Sequence, residues 1–212
     1  YDDNLQYRIA LPAEDKDIYM FNKEGDIVSG WRFRKSDHII QQPLQHFRIG
    51  DKDFIIAKDR FNLYALNRRG RTRIKYQRQI EFSPRNPVFF DETVSEESSR
   101  LIVSDVSGDV YYFYFNGNVR KSFENDFQDD HFLNVSDLDG DRKNEFVFID
   151  ENKLFTFNNE GELIFDEEYP EKIVFRPIIY EFASNDKKTG VIATKSGRIY
   201  LINNDGSLYQ GF

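Results

Sequence analysis

Leu63-Tyr64-Ala65-Leu66-Asn67-Arg68-Arg69-Gly70 carries the pattern that decides the fold: four apolar or aromatic residues, an asparagine, a polar pair and a glycine. The pattern recurs in Ile18-Tyr19-Met20-Phe21-Asn22-Lys23-Glu24-Gly25, Leu154-Phe155-Thr156-Phe157-Asn158-Asn159-Glu160-Gly161 and Ile199-Tyr200-Leu201-Ile202-Asn203-Asn204-Asp205-Gly206. A looser copy, Val110-Tyr111-Tyr112-Phe113-Tyr114-Phe115-Asn116-Gly117, keeps only the Asn-Gly pair. The five glycines are spaced 45, 47, 44 and 45 residues apart. A four-residue hairpin turn ends on a residue at positive φ, where glycine costs least. Asparagine at its first position can bond the backbone further along the turn.

Around each turn the sequence places further strands. Phe54-Ile55-Ile56-Ala57, Leu101-Ile102-Val103-Ser104, Phe146-Val147-Phe148-Ile149 and Val191-Ile192-Ala193-Thr194 precede the turn strands. Upstream of these lie runs at 45–49, 88–90, 132–135 and 177–182, and downstream runs such as 72–77, 119–123 and 162–165. Each unit therefore reads as four antiparallel strands. The middle runs are nearly continuous in apolar residues, which predicts burial on both faces. The outer run alternates, with Arg71, Arg73 and Lys75 against Thr72, Ile74 and Tyr76, so one of its faces is wet. No stretch of useful length has the 3.6-residue period of an amphipathic helix. Strand repeats of this period are in the range of propeller blades. The reading is an all-β chain, a β-propeller of five four-stranded blades at approximately 5–36, 43–82, 87–124, 130–168 and 174–212, alone or as part of a larger ring.

The two end units look incomplete. The first has runs at 5–11, 17–22 and 27–33 but none earlier, and Gly30-Trp31 follows its turn as Gly211-Phe212 follows the last. That makes about nineteen strands, against the twenty of five complete blades. An open strand edge is costly, so the preferred expectation is that this chain is a piece of a longer one.

Composition agrees with strands. The chain has 21 Phe, 12 Tyr and 1 Trp among 212 residues, and aromatics favour strands. Tyr19, Tyr64, Tyr111, Tyr112, Phe155 and Tyr200 recur on the same strand of successive units and read as packing between blades. Cysteine is absent, which removes disulfides, thiolate metal sites and a cysteine nucleophile. The net charge of −8 disfavours nucleic acid and anionic membrane as general partners. No apolar run approaches the roughly 20 residues of a membrane helix.

One loop suggests a metal. In Asp137-Leu138-Asp139-Gly140-Asp141-Arg142-Lys143-Asn144-Glu145, carboxylates stand at positions 1, 3, 5 and 9. Alternate residues of a tightly wound loop point inward, so Asp137, Asp139 and Asp141 can converge on one point. The Lys143 carbonyl can fill position 7, and Glu145 can reach in from the next strand. Ca²⁺ takes six to eight oxygens at about 2.3–2.6 Å. An EF-hand is disfavoured, because Phe146-Val147-Phe148-Ile149 is strand-like and Phe148 stands where the EF-hand glutamate belongs. The plain alternative is an acidic solvated hairpin, in which close carboxylates without a cation repel each other.

This loop resembles the calcium loop of FG-GAP and VCBS repeats, which form β-propeller blades in integrin α-chains and many secreted bacterial proteins. The resemblance implies one structural Ca²⁺ held by Asp137, Asp139, Asp141, the Lys143 carbonyl and Glu145. Two positions depart from the family: it often has glycine where Arg142 stands and aspartate where Glu145 stands. No other unit keeps the pattern; one period on, Asp137 and Asp139 map to Phe182 and Ser184. The chain is also loosely similar to quinoprotein-like and WD40-like propellers without a cofactor.

Other candidates are weaker. The basic residues Lys58, Arg60, Arg68, Arg69, Arg71, Arg73, Lys75, Arg78 and Arg85 read either as a solvated outer strand or as a patch for an anionic partner. His46 and His131 open corresponding strands and read as packing positions, and a catalytic reading of these or of His38 would need partners that the sequence does not place. There is no Gly-x-Ser-x-Gly elbow, zinc-protease helix or phosphate loop. The sialidase Asp-box is absent, and one tryptophan, Trp31, cannot build a quinone-docking girdle. Asn134-Val135-Ser136 fits the N-glycosylation pattern. The expected function is a non-enzymatic scaffold or binding module for a protein or glycan ligand, in a secreted, cell-surface or periplasmic setting. The alternative is a propeller hydrolase or lyase acting on polysaccharide.

Overall fold

The computed structural model describes residues 7–93, 97–181 and 187–209. Leu5, Phe182, Ser184, Gly211 and Phe212, which the sequence repeat takes in, lie outside them. Seventeen strands and no helix are found among the described residues. Strands β1 (Arg8–Pro12) and β2 (Ile18–Asn22) pair as a two-stranded sheet. Four-stranded antiparallel meanders follow: β3 (Gln45–Ile49), β4 (Lys52–Lys58), β5 (Leu63–Leu66) and β6 (Thr72–Lys75), then β7 (Phe89–Asp91), β8 (Arg100–Ser104), β9 (Val110–Tyr114) and β10 (Val119–Phe123). The third comprises β11 (Phe132–Ser136), β12 (Glu145–Asp150), β13 (Lys153–Phe157) and β14 (Leu163–Glu168). The last sheet holds β15 (Ile178–Tyr180), β16 (Thr189–Ala193) and β17 (Ile199–Ile202). The molecule is a β-propeller with four blades of three or four strands and a partial first repeat.

The count of five blades is therefore a correction. In the first repeat the expected run at 27–33 forms one bridge, Phe21 to Ile27. Gly30, at φ 88°, then turns the chain away, and Arg32 N donates to Arg69 O in the second repeat at 2.8 Å. In the last repeat, among the described residues, only the bridge Ile202 to Leu208 follows the turn.

The turns form as their residues require. All five repeat glycines have positive φ, between 69° and 92°. In the second turn Asn67 Oδ1 accepts from the backbone N–H of Arg69 (2.9 Å) and Arg71 (3.2 Å), and Gly70 N donates to Asn67 O. Asn22 and Asn158 do the same in their turns. In the third copy Tyr114 takes the asparagine's place: Gly117 N donates to Tyr114 O and Asn116 Oδ1 accepts from Asn118 N.

Gly70 shows why the repeat propagates. A Cβ there would lie 2.6 Å from the Phe33 backbone nitrogen and 2.9 Å from the Trp31 ring, so glycine is needed for the turn and for close approach of the preceding repeat. The same contact recurs between Gly161 and Phe123 and between Gly206 and Phe165. Gly25, in the first copy, meets nothing within 4 Å.

The chain divides into two compact units: 1–103 with 112–120, and 104–111 with 121–212. In the first, Ile18, Ile40, Ala57 and Leu66 form a core, and Phe54–Phe115 and Tyr76–Phe113 meet edge-on at 4.8 and 4.9 Å. In the second, Val147, Ile149, Leu154, Ile173, Ile192 and Ile202 belong to one core, and Phe123 meets Phe146 at 5.1 Å. The continuous apolar runs are the buried ones, as expected: β12 is buried at five of its six residues. The outer strand β6 is exposed except at Ile74.

The candidate metal centre and the charged side chains

The acidic loop joins β11 to β12 in the second compact unit, closing where Ser136 pairs with Glu145. Its winding follows from its aspartates. Asp137 accepts from the N–H of Gly140 (2.8 Å) and Arg142 (3.0 Å). Asp139 accepts from Asp141 N at 3.0 Å, and Asp141 from Lys143 N at 2.7 Å. Each short carboxylate thus bonds backbone ahead of it, which coils the loop tightly. The coil places Gly140 at φ 86° and Arg142 at φ 68°. A side chain at the second position bears left-handed strain.

Asp137, Asp139 and Glu145 come together, each offering a carboxylate oxygen within 4.8 Å of the others. Oxygens on opposite sides of one Ca²⁺ lie about 4.6–5.2 Å apart, so this separation suits a shared ion. Glu145 is only 6% exposed, and its Oε2 accepts from Leu138 N at 2.7 Å. Burial, and then the charges of Asp139, Asp141 and Asp137, push its carboxyl up to about 7, against the Leu138 bond that lowers it. A buried acid facing other acids is a site that a hard cation would relieve. Asp141 and Lys143 are exposed, and Asp141 is not one of the three gathered residues.

Several other charged groups are held in structural bonds. Asp53, nearly buried, faces His46 Nε2 at 2.9 Å and Arg68 Nε at 2.5 Å, and these partners hold its carboxyl below the usual range against the opposing effect of burial. His46 thus bonds a carboxylate, whereas His131 is packed, as expected, with Nδ1 against Gln128 O at 2.7 Å and its ring beside Phe127 and Phe148. Burial pulls His131 below the ordinary histidine value. Asp59 accepts from His38 N, Phe61 N, Asn62 N and the Tyr64 hydroxyl. Lys172 bridges Asp130 and Glu151, at 2.9 Å from each. Asn134 donates its amide to Pro177 O at 3.0 Å, so the sequon nitrogen is engaged in the fold.

The basic run stays together only in part: Arg68, Arg69, Arg71 and Arg73 line one cleft with Asp51 and Asp53. Lys58 is buried and donates to the carbonyls of Ser83 and Asn86, which removes it from any surface patch. Arg60 pairs with Glu81 and Arg73 lies over Phe54. Arg68, Arg69 and Arg71 also share a cleft with Arg8 and Arg32, two residues the sequence did not connect to them. The register of Trp31-Arg32 after the first Gly turn was the available signal, but its contact lies one repeat along the chain.

Three members of the aromatic stripe pack against a neighbouring segment, whereas Tyr19 stacks on Phe21 of its own strand. Tyr64 meets Phe33 edge-on at 5.6 Å, Phe155 lies 5.1 Å from Phe127, and Tyr200 meets Tyr169 at 4.9 Å. Arg100 stacks 3.8 Å over Tyr112.

No protein-family model matches the sequence, and no curated protein matches it either. The likeness to FG-GAP and VCBS repeats thus rests on the residues of the 137–145 loop. Solved structures do match. The propeller BBS1N, solved in complex with ARL6DN, is similar over 95% of this chain and 62% of its own, with TM-score 0.65 and 12% identity. BamB from Moraxella catarrhalis is similar over 98% of this chain and 73% of its own, with TM-score 0.52 and 12% identity. A protein of unknown function from Bacteroides caccae matches at TM-score 0.52 and 11% identity, over 97% of this chain and 72% of its own. The chain therefore spans 62% of the length of BBS1N. At these identities the likeness establishes the propeller fold. No helix is long and apolar enough to cross a membrane among the described residues.

Proposed function

We propose that this chain is a non-enzymatic propeller scaffold that binds a protein or glycan through its loops and is stiffened by one Ca²⁺ in the 137–145 loop. The observation that carries the metal is the convergence of Asp137, Asp139 and buried Glu145 within 4.8 Å. Asp141 and the Lys143 carbonyl complete the oxygen set when the ion is bound. The ion is structural: it ties the β11–β12 connection to the start of β12 and cancels the repulsion among the acids.

The binding role is supported by how the charged residues are used. Asp53, Asp59, Lys58 and Lys172 each serve a structural bond, and loops on a rigid scaffold are where recognition residues collect. BBS1N, which shares the fold, is solved with a protein partner. We place the protein outside the cytoplasm, on a cell surface or in a periplasm, because extracellular calcium suits weak structural sites.

Calorimetric titration of calcium into chelator-treated protein tests the metal; one site per chain is expected, and no binding heat at millimolar calcium overturns it. A polysaccharide panel tests the role: retention without product supports a binding module, and release of shortened products overturns it.

A further inference from the structure

The second repeat turn departs from its four counterparts. The residue before the turn glycine is Glu24, Asn116, Glu160 or Asp205 in the other copies and Arg69 here. The residue after the glycine is Asp26, Asn118, Glu162 or Ser207 elsewhere and Arg71 here. In three of those copies the turn asparagine donates its amide to that following side chain, Asp26, Glu162 or Ser207. Arginine offers no acceptor, so the usual closing bond is given up. A chain of net charge −8 has placed three arginines in one turn where acids or neutral residues fit the turn better.

The fold then adds two more. Arg8, on β1, and Arg32, beyond the first turn, line the same cleft of about 300 Å³ as Arg68, Arg69 and Arg71, with Trp31 in its wall. The frame is tied on main-chain carbonyls: Arg32 N donates to Arg69 O at 2.8 Å, and the Arg8 side chain donates through Nη1 to Arg68 O at 3.4 Å. Trp31 is fixed by its indole N–H on Ile18 O at 2.7 Å. Arg68 has a carboxylate partner, Asp53. Among the described residues Arg8, Arg32, Arg69 and Arg71 make no ion pair. Clustered guanidinium groups repel unless an anion joins them, and their forked donors match phosphate oxygens bidentately.

We propose that this cleft binds a di- or polyphosphate group. Charge density selects the class. The cleft is at the small end of ligand sites, and a phosphate brings close to two charges where a carboxylate brings one. Several unpaired arginines in a small volume are balanced by linked phosphates more compactly than by carboxylates. The free anion and a phosphorylated small molecule share this chemistry.

Calorimetry on the full chain tests it, with inorganic pyrophosphate, tripolyphosphate, orthophosphate and citrate as probes in calcium-free buffer, since pyrophosphate itself chelates calcium. Pyrophosphate and tripolyphosphate are expected to bind at least about tenfold tighter than orthophosphate and citrate, and adenosine diphosphate, compared with pyrophosphate, separates a nucleotide source from the free anion. The double variant Arg69→Ala, Arg71→Ala should lose about tenfold or more, the scale of two charge-assisted hydrogen bonds. Arg48→Ala, exposed and outside the cleft, removes a charge and should change affinity less than about twofold. All three proteins should melt alike, because the altered side chains are exposed. Citrate binding as tightly as pyrophosphate, or equal losses in the Arg48 and Arg69/Arg71 variants, would overturn the proposal.

Discussion

The acidic loop of the fourth repeat and the arginine turn of the second both break a pattern that is otherwise regular, and they break it differently. The acidic loop lies between β11 and β12, outside the repeated turn, and its carboxylates bend the loop through their own backbone bonds. Its key residue, Glu145, is buried at the start of a strand. The arginine turn keeps the repeated backbone intact, with Asn67 capping as usual, and changes only what projects from it. The first is a change of structure that carries charge; the second is a change of charge on unchanged structure. The acids should therefore govern stability and the arginines should govern binding.

The sharpest test of that contrast is at the turn's own glycine. Gly70→Ala should cost about 3 kcal/mol or more, because the Cβ meets the Phe33 backbone at 2.6 Å and the position has φ 69°. Gly25→Ala, with φ 91° and open space, should cost about 1 kcal/mol. Chemical denaturation of both variants measures the difference, and equal losses would mean that contact between repeats does not require the glycine.

Within the acidic loop, Asp139→Asn should weaken calcium binding more than Asp141→Asn, by about tenfold, since only Asp139 belongs to the gathered group. Equal losses would make Asp139 and Asp141 equivalent ligands.

The effect of calcium should also depend on pH. In the ion-free loop Glu145 rises from an ordinary 4.5 to about 7. A carboxyl raised on folding stabilises the fold while protonated, and that contribution is lost as pH rises through this window. Calcium needs the carboxylate and restores what is lost. The gain in Tm from calcium should thus be small at pH 5 and larger at pH 8, as a pH series of melts would read. A gain independent of pH would remove Glu145 from the site.

A smaller gain is expected from Arg142→Gly. It relieves a non-glycine residue at φ 68° and should stabilise by about 1 kcal/mol in denaturant titration. No gain would mean that the loop already relaxes around the side chain.

What was legible in the sequence is what is local. The Asn-x-x-Gly turns, the strand period and the carboxylate ladder at 137–145 each act within a few residues, so their outcome follows from residue type. Contacts one repeat away were not legible. Nothing near Lys58 marks it as buried, because its partners are carbonyls at Ser83 and Asn86. Nothing near Arg32 joins it to Arg69, because that bond forms only when Gly30 turns the first repeat's expected third strand away. The strand count erred for the same reason.

The central claim, that the acidic loop is a calcium staple, is tested most directly by thermal melting of the wild type and Glu145→Gln at pH 8, in millimolar calcium and in chelator. An ion at about 100 times its Kd adds about 2.7 kcal/mol, which for a chain of this length raises Tm by roughly 5–10 °C. That shift is expected in the wild type and should be lost in Glu145→Gln. Identical melting of the wild type with calcium and with chelator would contradict it.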